Sequence, residues 1–196
     1  MNRPDVVHGA WARRSASIEG GLHFETQTVI WLQAGSYYAD LRVPFHPGGD
    51  ERCFTGRSFW DADQYRWTHD LDLEPPAGVG DDVGELAWAD DALVERGLFP
   101  TADGPVAYEE IWTRLPGDQG PAWARSDQGA CLVRVGNHSI TVVDARDRGG
   151  SFTACYRVLE EEAWRTVIAI GDAAVLPDPA TTTDWDWRYQ VTGEPV

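Results

Sequence analysis

The segment TVIWLQAGSYYADLRV, residues 28–43, decides the fold that the sequence predicts. Its two halves are rich in β-branched and aromatic residues, which is typical of strands. Gly35 and Ser36 lie between the halves and form a two-residue turn of the kind that closes a tight hairpin. We therefore expect antiparallel strands at 28–33 and 37–43.

Strand-like runs of the same character occur along most of the chain. Turn residues separate these runs, and Gly136-Asn137 provides a second hairpin turn. Many short strands with few helical segments are typical of an antiparallel barrel or sandwich. We predict an all-β, antiparallel fold with less than about a tenth of helix, against about a third in ordinary globular proteins. The further runs lie at 56–60, 65–73, 84–89, 92–98, 106–115, 130–135, 138–145, 151–159, 163–170 and 184–191.

Two segments have a helical alternative. Residues 90–97 begin with acidic residues and end at a glycine, which fits a single helical turn. Residues 156–165 have helical propensity, but apolar runs of strand character on both sides favour a hairpin there.

A change of composition divides the chain near its middle. Residues 116–129, PGDQGPAWARSDQG, are rich in glycine and polar residues and predict a surface connection. We expect one structural unit over residues 1–196, with possible halves at 1–116 and 129–196.

The composition excludes several classes of partner. Sixteen arginines, no lysine and 32 acidic residues give a formal charge of −16. This charge argues against nucleic acid and against anionic membrane surfaces, since both are bound through clustered cations. With 42% hydrophobic residues and ten tryptophans, the chain has the composition of a folded protein.

The N-terminal segment and the cysteines bear on location. Residues 1–15 have no apolar stretch of the kind that a secretion signal needs, and no apolar run is long enough to span a membrane. Cys53, Cys131 and Cys155 are an odd, scattered set, which indicates free thiols. These features predict a cytoplasmic protein without a disulfide.

Alternation sorts the side chains of the first hairpin onto two faces. With the two-residue turn, Trp31 lies opposite Asp40, and Gln33 lies opposite Tyr38. One face is apolar and contains Ile30, Leu32, Tyr37, Ala39, Leu41 and Val43. The other face mixes rings with polar groups and contains Trp31, Gln33, Tyr38, Asp40 and Arg42.

Two more strands repeat this mixed face. In 106–115 it contains Tyr108, Glu110, Trp112 and Arg114. In 65–72 it contains Tyr65, Trp67, His69 and Leu71. The mixed face is either solvated sheet surface or the lining of a barrel lumen. We favour the lumen, because exposed tryptophans on three strands would promote aggregation.

Four segments resemble an uncharacterised bacterial family that is distantly similar to fungal lipocalin-like proteins of obscure role. The resemblance extends over most of the chain, although the 45–54 connection is short for that family. It implies a calycin-type, lipocalin-like antiparallel β-barrel, a fold that hosts carriers, haem binders and cofactor-free isomerases or cyclases. The segments are WLQAGSYYADLRVP (31–44), RWTHDLDLEPP (66–76), DVGEL (82–86) and YEEIWTRL (108–115).

The sequence contains no motif for a metal site and no motif for a catalytic nucleophile. The histidines lack the spacing of a zinc site, no cysteine lies near one, and there is no G-x-S-x-G turn. The remaining alternative is a haem held by His69 or His138. Our prediction is a protein without a cofactor and without a metal.

Acid–base chemistry is the best supported catalytic interpretation. Asp40, His69 and Glu110 would point into one aromatic cavity. Burial raises the pKa of a carboxyl and a nearby arginine lowers it, so one cavity can keep one carboxyl protonated and another ionised. The structural alternative is that the carboxylates only form ion pairs with Arg42 and Arg114, which would hold strand register.

We predict a protein that binds a small, partly aromatic organic molecule in this cavity. The first alternative is a cofactor-free isomerase, cyclase or lyase of specialised metabolism that uses Glu110, Asp40 or His69 as acid or base. Arg42 would then hold an anionic group. A second alternative is an interaction module that docks a protein partner through its tryptophan-rich face, and a homodimer is left open. The predicted ligand contacts are Trp31, Gln33, Tyr38, Arg42, Trp67, Tyr108, Trp112 and Arg114.

Overall fold

The computed structural model describes residues 7–74, 81–177 and 179, together with the backbone of 189–192. In this part of the chain the structure is almost entirely antiparallel β-sheet, and its helical segments are two single turns of 3-10 helix. The predicted all-β antiparallel fold is therefore confirmed. No helix among these residues is long and apolar enough to cross a membrane.

Eight strands of the first half close into a barrel in the order β3-β2-β1-β9-β8-β7-β5-β4. Pairing of β3 with β4 closes the ring, and the short β6 lies against β4. The strands are β1 (Gly9–Ile18), β2 (Gln27–Ala34), β3 (Tyr37–Pro44), β4 (Arg52–Asp61), β5 (Gln64–Trp67), β6 (Leu71–Asp72), β7 (Asp82–Ala89), β8 (Ala92–Thr101) and β9 (Gly104–Arg114).

The first hairpin has the register that its turn predicts. Trp31 pairs with Asp40, and Gln33 pairs with Tyr38. Gly35 takes a φ of 60°, a left-handed conformation that glycine adopts without strain.

A second antiparallel sheet follows, in the order β14-β13-β12-β11-β10-β15. The hairpin preferred for 156–165 is confirmed, because Glu160 pairs with Ala163 across its turn. The strands are β10 (Ala122–Asp127), β11 (Ala130–Val135), β12 (His138–Asp144), β13 (Phe152–Glu160), β14 (Ala163–Ile170) and β15 (Tyr189–Thr192).

Two apolar clusters hold these sheets. The first joins the outer face of the barrel, including Ile30, Leu32 and Leu41, to Val133 and Ile140 of the second sheet. The second fills the barrel and contains Val7, Trp11, Val29, Trp31, Tyr38, Tyr65, Trp67, Leu86, Leu93 and Trp112. The mixed aromatic and polar face therefore points into the lumen, and the apolar face is covered by the second sheet.

Four sequence expectations need correction. β1 was not predicted, because its centre, Arg13-Arg14-Ser15, has little strand propensity. The expected connection at 116–129 contains β10, which pairs along β11. The run at 65–73 is split into β5 and β6. Residues 90–97 form no helical turn, since most of them belong to β8. Of the run at 184–191, positions 184–188 lie outside the described residues.

Candidate functional site at the barrel mouth

Indole rings fill the lower half of the barrel, towards the Gly35-Ser36 turn. Trp31 contacts Trp112 at 5.4 Å and Trp67 at 6.0 Å between ring centroids, both in edge-to-face geometry. All three rings are buried. The space left beside them is about 20 Å³, the size of one water molecule. This half of the lumen is packed core, and it has no room for an organic ligand.

The opposite end of the barrel opens into a cleft of about 540 Å³. We call it the mouth cleft. Its rim is apolar and includes Ile18, Phe24, Phe54, Val83, Leu98, Phe99 and Pro100. Its inner lining is charged and polar and includes Arg13, Arg42, His69, Glu95, Tyr108 and Glu110. The cleft therefore offers an apolar entrance above a polar floor.

A bulge in β1 shapes this floor. The register between β1 and β9 shifts between Arg13 and Ser15, so that Ala16 rather than Ser15 lies opposite Glu110. Arg13 lies opposite Trp112 on the inward face. The small side chain of Ala16 leaves space over Glu110, while Arg13 reaches its carboxylate.

Two guanidinium groups share the carboxylate of Glu110. Arg13 donates from Nη1 to Glu110 Oε1, and Arg42 Nη1 lies 3.6 Å from the same oxygen. Arg13 also donates to both oxygens of Glu25, at 2.8 and 3.0 Å. Arg42 donates to both oxygens of Asp40, at 2.7 and 3.2 Å. Such bidentate pairs fix both arginine side chains in position.

Glu95 is a further carboxyl group of the floor that the sequence pattern does not single out. It lies directly opposite Glu110 across β8 and β9. Tyr108 donates to its Oε1 at 2.8 Å and Trp112 donates to its Oε2 at 3.1 Å. Burial, and then the charge of Glu110, raise the pKa of Glu95 to about 8. Most of its population is therefore protonated at pH 7.

Gly97 allows Tyr108 to reach Glu95. The two residues pair across β8 and β9, and the tyrosine ring lies over the glycine. A Cβ at position 97 would stand 2.6 Å from the phenol oxygen. Only glycine leaves room for this arrangement.

His69 lies in the lining of the mouth cleft, between two aspartates. Its Nδ1 is 2.6 Å from Asp72 and its Nε2 is 3.1 Å from Asp82. Its ring stacks on Phe54 at a centroid distance of 4.6 Å. Burial alone would lower the pKa of His69, but the two hydrogen bonds outweigh burial and raise it to about 9. The ring is therefore a charged imidazolium at pH 7, and it acts as a clamp between β6 and β7.

The structure divides the predicted site residues into three groups. Arg42, His69, Tyr108 and Glu110 line the mouth cleft. Trp31, Tyr38, Trp67 and Trp112 pack below it, and Asp40 is buried among them under Arg42.

Gln33 and Arg114 form the third group and lie at the closed end, away from the cleft. Gln33 is fully buried and bonded to Trp31 and Ser58. Arg114 stacks on Trp11 at 4.5 Å and pairs with Asp118, so the expected pair between Arg114 and Glu110 is wrong. The reason is distance along β9, since four residues of strand separate the two side chains by about 13 Å.

The places of Arg13 and Glu95 in the site can be predicted from the sequence only when the strand pairing is known. Glu95 alternates with Leu93 and Gly97 in a strand that was predicted, but its position opposite Glu110 depends on the β8–β9 register. Arg13 belongs to the strand that was missed.

Other features of the described residues add no competing site. No group of three or more His, Cys, Asp or Glu side chains there converges on a metal position. The aspartates beside His69 accept hydrogen bonds from its two opposite ring nitrogens, so they do not share a common ion position. Two further concavities, of about 510 and 570 Å³, lie against the second sheet, and neither has a buried charged residue in its lining.

Comparisons with known proteins support the fold. No protein-family model and no curated protein matches the chain. A solved structure does match: an uncharacterised protein of Saccharomyces cerevisiae, YLR301w, with a TM-score of 0.69 at 12% sequence identity. The match covers 83% of this chain and 85% of the yeast chain. The two proteins therefore share a fold, and the closed antiparallel barrel is consistent with the lipocalin-like architecture that the sequence resemblance implies.

Proposed function

We propose that this protein binds a small amphipathic, partly aromatic organic molecule in the mouth cleft. The observation that carries this proposal is an aromatic-rimmed opening of about 540 Å³ that ends on buried charged residues. Small-molecule sites typically measure about 300–1,000 Å³ and combine an apolar lining with a few converging polar groups. The mouth of a β-barrel is a common place for such a site.

The rim and the floor suit different parts of one ligand. Phe24, Phe54 and Phe99 present rings to the cleft, which supports a ligand with an aromatic or flat apolar part. Arg13 and Arg42 are fixed by their carboxylate partners before any ligand arrives. A preorganised floor lowers the ordering cost of binding.

A screen of small aromatic compounds by thermal shift and native mass spectrometry tests the proposal. We expect at least one compound to raise the melting temperature and to bind with one-to-one stoichiometry. Ala16→Phe would fill the cleft above Glu110 and should abolish binding, whereas Val167→Phe, on an exposed position of β14, should leave it unchanged. Equal binding by both variants would place the ligand elsewhere and contradict the proposal.

A second candidate function is acid–base catalysis on the bound molecule. Its support is that a protonated carboxyl, Glu95, lies opposite Glu110 on the same face, and that Glu110 is held by two arginines. In a tautomerisation, Glu110 would take a proton from a ligand carbon while Glu95 gives its proton to a ligand oxygen. This step leaves Glu110 protonated and Glu95 ionised. Return of one proton from Glu110 to Glu95, directly or through water, restores the starting state, and no cofactor is consumed.

Proton exchange separates this candidate from simple binding. A compound found in the screen is incubated with the protein in deuterated water and followed by NMR. Catalysis requires deuterium incorporation or rearrangement with the natural chain, and loss of both in Glu95→Gln. A binding protein returns the compound unchanged.

We also infer a cytoplasmic location. Support comes from Cys53, Cys131 and Cys155, which are all buried and unpaired. Free cysteines of this kind are typical of a reducing compartment.

A further inference from the structure

We propose that the mouth cleft selects a ligand whose polar group is a positively charged hydrogen-bond donor, such as an ammonium or guanidinium group on an apolar body. This inference rests on the proposed binding function and specifies the class of ligand. It comes from the hydrogen-bond partners of the floor, from the charges around it and from the chemistry of the rim.

The unused group at the floor is an acceptor. Glu110 lines the cleft, and its side chain is 8% exposed. Its Oε1 is shared by Arg13 and Arg42. Its Oε2 has almost no exposed surface, and it has no hydrogen-bond partner among the residues that the structure describes. Leaving a covered carboxylate oxygen without a donor is costly. A rotation of the carboxyl group would present Oε2 to the cleft that Glu110 lines, and a ligand N–H bound there would recover this cost through a charge-assisted hydrogen bond.

The cationic groups of the floor are already engaged. Arg13 bonds both oxygens of Glu25 and one oxygen of Glu110. Arg42 bonds both oxygens of Asp40. An anionic ligand that contacted Arg13 or Arg42 would have to displace one of these carboxylates, and it would also approach the free oxygen of Glu110. This arrangement disfavours an anionic group at Arg42, which was the expectation for a catalytic site.

The charge around the cleft favours a cation. Four cationic groups, Arg13, Arg42, Arg52 and His69, lie in the lining. Six carboxyl groups lie in the lining or pair with its arginines: Glu25, Asp40, Asp72, Asp82, Glu95 and Glu110. Glu95 is mostly protonated at pH 7, which leaves five carboxyl groups against the four cationic groups. The whole chain carries a formal charge of −16, which raises the local concentration of cations around it.

The rim suits the apolar body of such a ligand. Leu98 is 63% exposed and Phe24 is 46% exposed, and both line the entrance. Phe99 completes this side of the rim. Aromatic faces also attract cations, so the rim does not oppose entry of a charged head group.

Three matched compounds test the selectivity by isothermal titration calorimetry at pH 7. They are 3-phenylpropylguanidinium, 4-phenylbutanol and 4-phenylbutanoate, which share an apolar body and differ in charge. We expect the guanidinium compound to bind at least about tenfold more tightly than the alcohol, with the carboxylate weakest. The inference is overturned if the carboxylate binds most tightly, if the alcohol equals the guanidinium, or if none of the three binds.

Glu110→Gln tests the assignment to a single oxygen. In this variant we expect the guanidinium and alcohol affinities to converge to within about threefold. Glu109→Gln is the matched control, because Glu109 lies next in the chain but pairs with Arg96 and His23 outside the cleft. Glu109→Gln should keep the full preference for the guanidinium compound over the alcohol. A folded Glu110→Gln protein that retains the preference would overturn the inference, and if this variant does not fold, the ranking on the natural chain decides.

Failure of this inference is distinct from failure of the proposed function. A screening hit that is anionic and is excluded by Ala16→Phe would keep the cleft as the binding site and reject the ligand class. A screen without any hit would reject the binding function itself.

Discussion

Glu95 and Glu110 stand directly opposite each other on neighbouring strands of the barrel, yet their surroundings differ. Glu110 is paired with two guanidinium groups. Glu95 accepts hydrogen bonds from two neutral donors, Tyr108 and Trp112. Two carboxylates on one face of a sheet repel when both are charged. The structure relieves this repulsion by keeping a proton on Glu95.

This proton makes stability depend on pH. The folded chain holds the Glu95 proton up to a pKa of about 8, whereas an unfolded glutamate loses it near 4.5. Stability contributed by Glu95 therefore falls as pH rises from about 4.5 to 8 and stays low above that range. At pH 9 we expect the free energy of unfolding of Glu95→Gln to exceed that of the natural chain by a few kcal/mol, the order that this pKa shift implies. The difference should shrink towards pH 5.

Urea unfolding between pH 5 and 9 measures this effect. Glu85→Gln, at an exposed position of β7, is the control and should show no such trend. A constant difference between Glu95→Gln and the natural chain would show that Glu95 does not hold the proton.

Gly97→Ala should disturb the contact between Tyr108 and Glu95. The added Cβ would lie 2.6 Å from the phenol oxygen, so the ring must move. We expect a loss of about 1–3 kcal/mol in the free energy of unfolding. In a Tyr108→Ala background, where no ring has to move, the same change should cost much less. Equal costs in both backgrounds would contradict the contact.

Arg13→Met should be among the most destabilising single changes at the mouth. It leaves Glu110 and Glu25 without their shared partner, and breaking a largely buried pair costs about 3–5 kcal/mol. Arg14→Met, at the exposed neighbouring position in the bulge, should change stability by less than about 0.5 kcal/mol. Chemical denaturation compares the two, and similar losses would mean that the cluster contributes little.

His69 should titrate well above an ordinary histidine. Its hydrogen bonds to Asp72 and Asp82 raise its pKa to about 9. The stability that these bonds contribute is complete below the unfolded value of about 6.5 and is lost as pH rises through 9. NMR titration of the ring protons should give a midpoint near 9 in the natural chain and a lower midpoint in Asp72→Asn. A midpoint near 6.5 in both proteins would contradict the clamp.

The sequence predicted the barrel because alternation is a local property. The pairing of Trp31 with Asp40 follows from a two-residue turn, and the inward position of Trp112 follows from the cost of exposing indole rings. The arrangement of the residues in the floor of the cleft does not follow from local sequence. Arg13 and Glu110 are 97 residues apart in the chain, and they meet because the register between β1 and β9 shifts. The periodicity of the sequence does not predict that shift.

The depth of the site was misjudged for a related reason. Alternation assigns a residue to a face, but it does not say how far along the barrel the lumen stays open. Alternation therefore predicts that Trp31, Trp67 and Trp112 line a cavity, whereas in the structure their rings fill the lumen. Volume is decided by packing between strands that are distant in sequence.

The position of a bound compound tests the central claim most directly. A crystal structure of the protein with the tightest compound from the screen should show that compound in the mouth cleft, in contact with Phe24 and Phe99. Its polar group should lie within hydrogen-bond distance of Glu110 Oε2. A compound bound at either concavity of the second sheet, with an unchanged mouth cleft, would contradict the account.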